Sequence, residues 1–73
     1  MKAAKLIKMA NQIGAFFEAM PDREQAVKDV AAHIQKFWEP RMRIALHDHV
    51  TLNSDEALSP IVRDALRSVP KVG

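Results

Sequence analysis

The sequence contains no cysteine. Disulfide bonds, zinc sites with thiolate ligands and iron–sulfur clusters held by this chain alone are therefore excluded. Tyrosine is also missing, and no segment alternates apolar and polar residues, so the usual signs of β-strands are absent. A chain of 73 residues without these structures must obtain its stability from helix packing, together with a partner where one is bound.

Long apolar runs and dense positive charge are absent as well. No run is long enough to span a bilayer, and none precedes a small-residue cleavage site, so we expect neither membrane insertion nor secretion. Eleven basic and nine acidic residues leave a net charge of only +2, which is unlike a phosphate-binding surface. We expect a cytoplasmic protein. The alternative is an organelle transit peptide, because residues 1–17 are rich in lysine, free of acids and amphipathic.

What the sequence does contain is apolar residues at helical spacing. In the first helix they recur at i, i+3, i+4 and i+7, which is one stripe of an α-helix. The predicted apolar positions of four successive helices are Leu6, Met9, Ala10, Ile13, Phe16, Phe17 and Met20 in the first; Val27, Val30, Ala31, Ile34 and Phe37 or Trp38 in the second; Met42, Ala45, Leu46, His49 and Val50 in the third; and Ile61, Val62, Ala65, Leu66 and Val69 in the fourth. The pattern predicts an all-α bundle of four helices.

Capping residues and prolines set the helix boundaries. Asp22 is a suitable N-cap with Gln25 three residues later, and Ser59-Pro60 places a second cap before a proline. Pro40 suits the first turn of a helix, where its missing N–H is not needed. We predict helices over residues 3–20, 23–38, 40–52 and 60–69 in a single domain, residues 1–73, with residues 71–73 frayed.

Catalytic and metal-binding patterns find little support. The hydroxyls of Thr51, Ser54, Ser59 and Ser68 fall in loops, caps or helix ends without a nucleophile motif. His47 and His49 are two positions apart and diverge by about 200° on a helix, so they cannot share a metal there. They are better placed to act as cations near the end of the third helix. We therefore expect no catalytic, cofactor-binding or metal-binding residue in this chain.

The aromatic residues are more informative. They occur as two adjacent pairs, Phe16-Phe17 and Phe37-Trp38, and neighbours on a helix lie about 100° apart. Either the apolar stripes are wide enough to bury both members, or one member of each pair contributes to an exposed patch for a partner.

Local rules are also broken near Gly14 and Pro40. Gly14 costs about 1 kcal/mol inside a helix, which indicates close approach of another helix, and Asn11 and Gln12 either bond across that approach or face solvent. Arg41 and Arg43 lie in the first turn of a helix, against its dipole. Since Trp, Arg and Met are enriched at interfaces, we predict a partner interface comprising Phe37, Trp38, Pro40, Arg41, Met42, Arg43, Asn11 and Phe17.

Four stretches contain the strings that distinguish one small family: residues 9–13, Phe16-Phe17, residues 33–43 and residues 58–66. The string Phe-Trp-Glu-Pro-Arg-Met-Arg, residues 37–43, is the most specific of them. Together they make nearly the whole chain resemble the delta subunit of NAD-dependent, molybdenum-containing formate dehydrogenase.

The resemblance implies a non-catalytic accessory subunit of a multi-subunit cytoplasmic enzyme that oxidises formate to carbon dioxide and reduces NAD⁺. In that family the larger subunits bind molybdenum bis-MGD (molybdopterin guanine dinucleotide), iron–sulfur clusters, FMN and NAD, and the delta chain binds none of them. Its partners are the larger formate dehydrogenase subunits, and its role is to stabilise the assembly or to assist maturation of the catalytic subunit.

The alternative from the residues alone is a small basic helical module. Its cations would be Lys2, Lys5, Lys8, Arg41 and Arg43, and its ligand would be nucleic acid or an anionic membrane surface. If the chain is a delta subunit, we expect it to bind neither nucleic acid nor a membrane. An isolated copy with an exposed patch can also cover it by forming a homodimer.

Overall fold

The structure is a computed structural model that describes residues 2–70, and it is all-helical over that range. The helices are α1 (Ala3–Glu18), α2 (Arg23–Phe37), α3 (Pro40–Leu52) and α4 (Pro60–Leu66). The predicted fold class, helix number and helix order are confirmed. The frayed end predicted at residues 71–73 lies outside the described residues.

Three predicted helix ends are longer than the observed ones. In α1 the N–H of Met20 bonds the carbonyl of Phe17 at 3.0 Å, and after α4 the N–H of Val69 bonds that of Leu66 at 3.2 Å. These bonds span three residues and tighten the chain out of the α-helical pattern before Pro21 and Pro70. At the end of α2, Trp38 is already extended and serves as the C-cap. The apolar pattern continues past each helix end because Trp38 and Val69 stay buried, and Met20 half-buried, after the backbone leaves the helix.

Of the two predicted N-cap side chains, Asp22 makes a capping hydrogen bond and Ser59 does not. The side chain of Asp22 accepts a hydrogen bond from the Gln25 N–H at 3.2 Å, which confirms this cap. Gln25 does not complete a capping box, because its amide donates to Asp29 Oδ1 at 2.9 Å. Ser59 occupies the N-cap of α4, but its side chain makes no cap bond.

Helix α1 packs against the other three helices, and α2 also packs against α4. The buried hydrophobic residues are Leu6, Ala10, Ala26, Val30, Ala31, Ile34, Trp38, Leu46, Leu58, Ile61, Val62, Ala65, Leu66 and Val69. The stripes of α2 and α4 match the prediction closely, except that Ala26 is more deeply buried than Val27. Leu58, in the loop before α4, is a core residue that helical periodicity does not detect.

Gly14 is the contact point between α1 and the start of α4. The predicted close approach of another helix is confirmed, and α4 is that helix. A Cβ on Gly14 would lie 2.8 Å from Val62 Cγ2 and 2.9 Å from Ile61 Cγ2. Both of those side chains are fully buried. The missing side chain therefore lets the two helices approach within a distance that alanine does not allow.

His47 makes a hydrogen bond to a distant part of the chain that the sequence pattern did not predict. Its Nε2 lies 3.0 Å from the carbonyl oxygen of Val69. Because a carbonyl only accepts, Nε2 must carry the proton in this bond. His47 thus ties α3 to the segment that follows α4, which keeps Val69 in the core after the helix has ended.

Asn11 joins α1 to the loop before α4 through both ends of its amide. Its Nδ2 donates to the carbonyl of Ala57 and its Oδ1 accepts from the N–H of Ser59, each at 2.9 Å. The second bond satisfies the backbone N–H of Ser59, the residue immediately before α4. Asn11 therefore bonds across the close approach at Gly14, which was one of the two predicted roles, and Gln12 is exposed.

We expect Asn11→Ala to lower the free energy of unfolding by about 1–3 kcal/mol, because two backbone groups lose their partners. Urea unfolding monitored by far-UV circular dichroism measures this loss. Gln12→Ala, at the exposed neighbouring position, is the control and should change the stability by less than about 0.5 kcal/mol. Equal stability of the two variants would contradict the bridging role of Asn11.

Candidate functional site

An apolar groove runs between α1 and α2 and ends at the start of α3. Its volume is about 570 Å³. Nine residues line it: Met9, Gln12, Ile13, Phe16, Phe17, His33, Phe37, Trp38 and Met42. On α1 the lining positions recur at i, i+3, i+4, i+7 and i+8, which is the spacing of a helix-packing stripe. The groove is thus the part of the α1 stripe that the other described helices leave uncovered.

Aromatic rings form a continuous row across this groove. The rings of Phe16 and Phe17 meet edge to face with their centroids 5.1 Å apart. The ring centroids of Phe17 and His33 are 6.1 Å apart, and those of His33 and Phe37 are 4.8 Å apart. The row arises because Phe17 lies on the face of α1 that packs on α2, while His33 and Phe37 are one turn apart on α2.

Each adjacent aromatic pair has one outward-facing member. Phe16 is 75% exposed and Phe37 is 64% exposed, whereas Phe17 is half-buried and Trp38 is only 6% exposed. Phe16 and Phe17 point about 100° apart on α1, and the small bundle partly buries only one of them, whereas Trp38 follows the last residue of α2 and lies in the core. Of the two alternatives for the aromatic pairs, the structure shows the one in which a member of each pair is exposed.

Four of the predicted interface residues come together at the groove. Phe17, Phe37 and Met42 line its walls, and Trp38 lies beneath them as a core residue. Pro40 and Arg41 are exposed at the adjoining corner, where Arg41 Nη2 lies 3.4 Å from Glu39 Oε2. This ion pair is fully surface-exposed and contributes little to stability.

The other two predicted interface residues are a buried arginine and a partly buried asparagine whose amide bonds within the chain. Arg43 is 4% exposed because it lies three residues before Leu46, on the face of α3 that packs toward the core. Asn11 uses its amide for the internal bonds to Ala57 and Ser59. Burial withdraws Arg43 from the surface, including the phosphate-binding surface considered as the alternative.

Five groove residues were not among the predicted interface residues: Met9, Gln12, Ile13, Phe16 and His33. Most of them were placed in the α1 stripe and counted as core. The signal for His33 was its position four residues before Phe37, which puts both rings on one face of α2. The aromatic row forms because His33 and Phe37 on α2 lie next to Phe17 and Phe16 of the α1 stripe.

The groove and its surroundings do not suggest a metal site or a membrane span. Over residues 2–70, no three side chains among His, Cys, Asp and Glu converge in a way that could hold a metal ion. None of the helices described for these residues is both long and apolar enough to cross a membrane. Among the described residues, the groove is therefore notable for apolar and aromatic surface rather than for reactive groups.

The chain matches a known protein family. Residues 5–66 match the family described as NADH-dependent formate dehydrogenase delta subunit FdsD. No curated protein and no solved structure matches the chain. The matched range includes all of α2, α3 and α4, most of α1 and every residue of the groove. The chain therefore belongs to the NADH-dependent formate dehydrogenase delta subunit family.

Proposed function

We propose that this chain is a non-catalytic accessory subunit that binds a larger formate dehydrogenase subunit through the groove and stabilises the assembled enzyme. On this proposal, formate oxidation and NAD⁺ reduction take place in the larger subunits of a cytoplasmic complex. The molybdenum centre, iron–sulfur clusters, FMN and NAD would be bound there too. A chain without cysteine offers no thiolate to an iron–sulfur cluster, which supports this division of labour.

The observation that carries the proposal is the exposure of Phe16 and Phe37 at the groove. Large apolar side chains scattered singly over a surface need no explanation, but two phenylalanines on one continuous aromatic row form a patch. Aromatic residues and methionine are enriched at protein interfaces, and both types line this groove. In a family of subunits, covering such a patch is the most direct use for it.

The test is co-purification of the larger dehydrogenase subunits with a tagged copy of this chain from its native host. We expect the double variant Phe16→Ala/Phe37→Ala to bind at least about tenfold more weakly, because each ring is an aromatic anchor in the groove. Far-UV circular dichroism should show the same helix content as the unsubstituted chain, since both side chains are exposed.

Leu52→Ala provides the matched control. Leu52 is 80% exposed at the end of α3 and does not line the groove, so its loss removes exposed apolar surface elsewhere. This variant should co-purify with the dehydrogenase subunits at the level of the unsubstituted chain. Stoichiometric co-purification of the double variant would overturn the assignment of the groove.

The same purification separates a stabilising role from a maturation role. A stabilising subunit remains in the active enzyme in a fixed ratio, and its loss lets the purified complex dissociate. An assistant in maturation leaves after the catalytic subunit has received its molybdenum centre. We expect the fixed ratio. Active, stable enzyme that lacks this chain would favour maturation.

A further inference from the structure

We infer that the groove receives an amphipathic helix of a larger subunit, and that this helix carries acidic side chains beside its apolar face. The inference rests on the proposed function and specifies the partner segment at the same site. It is drawn from the shape of the groove and from the charges that surround it.

The shape of the groove suits a helix. Its α1 wall, from Met9 to Phe17, has the spacing that one helix presents to another and extends over about 12 Å, or two turns. The α2 wall supplies His33 and Phe37 one turn apart. No strand lies among residues 2–70, so the described surface has no sheet edge to which an extended peptide could be added. A helix that places residues at i, i+3, i+4 and i+7 in the groove would complete the packing of the bundle.

The charges around the groove point to acidic groups on that helix. None of the nine lining residues is acidic. The Nζ atom of Lys36 lies 5.5 Å from the centroid of the Phe37 ring. Lys5 and Lys8 are exposed on α1 and stand one turn before Met9 and Gln12, so they border the groove at its other end.

Two carboxylates stand one turn before groove residues, fewer than the three lysines around the groove. Asp29 precedes His33 by one turn and accepts a hydrogen bond from the Gln25 amide. Glu39 precedes Met42 and forms the ion pair with Arg41. The ion pairs recorded for residues 2–70 do not include Lys5, Lys8 or Lys36. These three lysines thus leave a positive border that acidic residues of a partner would match.

The same border argues against a second copy of this chain as the occupant. In a two-fold symmetric dimer the same patch meets itself, so the lysines of one groove would approach those of the other. Like charges brought together across an interface disfavour the complex. An acidic partner helix meets the apolar groove without this repulsion.

Photocrosslinking in the native host identifies the occupant. We would incorporate p-benzoylphenylalanine in place of Phe37 in the full chain, irradiate the assembled complex, and sequence the crosslinked peptide by mass spectrometry. The expected peptide belongs to a larger dehydrogenase subunit, shows apolar residues at helical spacing and contains more acidic than basic residues. The same label in place of Leu52 should not capture that peptide.

The outcomes distinguish this inference from the proposed function. A crosslink to a basic or non-helical segment of a dehydrogenase subunit would overturn the acidic helix and leave the proposed function standing. A crosslink to a second copy of this chain within the complex would also overturn it. Absence of dehydrogenase subunits from the purified material would overturn the proposed function as well.

Charge reversal tests the acidic character separately. We expect Lys36→Glu to slow association with the purified larger subunits on the order of tenfold at low salt, with the difference shrinking as salt is added. Lys28→Glu is the control, because it changes the net charge equally at an exposed position on α2. The ammonium of Lys28 lies 3.9 Å from Glu24 Oε1, whereas that of Lys36 lies beside the groove residue Phe37. Equal rates for the two variants would overturn the inferred charge pattern.

Discussion

Replacing Trp38 by alanine should unfold most of the chain rather than only detach it from a partner. The side chain is 6% exposed and belongs to the hydrophobic core. Truncating a buried tryptophan costs about 3–5 kcal/mol. A single small core such as this one supplies about 3–5 kcal/mol in total, so Trp38→Ala removes most of the stability.

The neighbouring residue provides the contrast. Phe37 is 64% exposed, and Phe37→Ala should lower the free energy of unfolding by less than about 1 kcal/mol. Far-UV circular dichroism during urea titration suits both variants, because Trp38→Ala removes the only tryptophan and with it the fluorescence signal. If Trp38→Ala unfolded at the midpoint of the unsubstituted chain, Trp38 would have to be a surface residue.

This contrast also decides which variants can test partner binding. The predicted interface included both Phe37 and Trp38, and a substitution at Trp38 would reduce co-purification simply by unfolding the chain. Substitutions at Phe16 and Phe37 should leave the chain folded, because both rings are exposed. Loss of binding in the Phe16→Ala/Phe37→Ala variant, with helix content retained, therefore reports on the groove itself.

The second large effect is expected at Gly14. Alanine is the better helix former by about 1 kcal/mol, so Gly14→Ala would stabilise an isolated helix. Here the added Cβ would lie 2.8 Å and 2.9 Å from the γ-methyl groups of Val62 and Ile61. Both residues are β-branched, stiff at χ1 and fully buried, so they cannot turn aside without moving α4. We expect a net loss of about 1–3 kcal/mol from overpacking.

Ala15→Gly is the control for helix propensity at the adjacent exposed position. It should lower the free energy of unfolding by about 0.5–1 kcal/mol, since it introduces the flexibility that Gly14→Ala removes. The two substitutions are thus expected to destabilise for opposite reasons. A Gly14→Ala variant more stable than the unsubstituted chain would show that α1 and α4 are not in close contact there.

Several features of the fold follow from short-range rules and were therefore predictable. The prolines and the Asp22 cap act on the backbone within one turn, and Pro40 begins α3 at the predicted residue. The apolar stripes of α2 and α4 identify their buried faces because the residues repeat at the helical period. Gly14 could be interpreted for a similar reason. Glycine is unfavourable within a helix, so its presence there indicates that a neighbouring element leaves no room for a side chain.

Other features depend on which neighbour each face meets. Periodicity places Met9, Ile13 and Phe17 on one stripe with Leu6 and Ala10, but only the packing of the other helices leaves the first three beside a groove. Leu58 lies in a loop, where no period exists to reveal its burial. Arg43 was predicted to lie at the partner interface because arginine is enriched there, yet the orientation of α3 turns it inward.

By itself, the sequence determined that this protein is a four-helix, cysteine-free chain of the formate dehydrogenase delta subunit family, because helical periodicity, caps and family-specific strings are local properties. Only the tertiary structure decided which aromatic of each pair is buried. That choice depends on how α1 packs against α2 and α3, and it leaves Phe16 and Phe37 exposed while Trp38 enters the core.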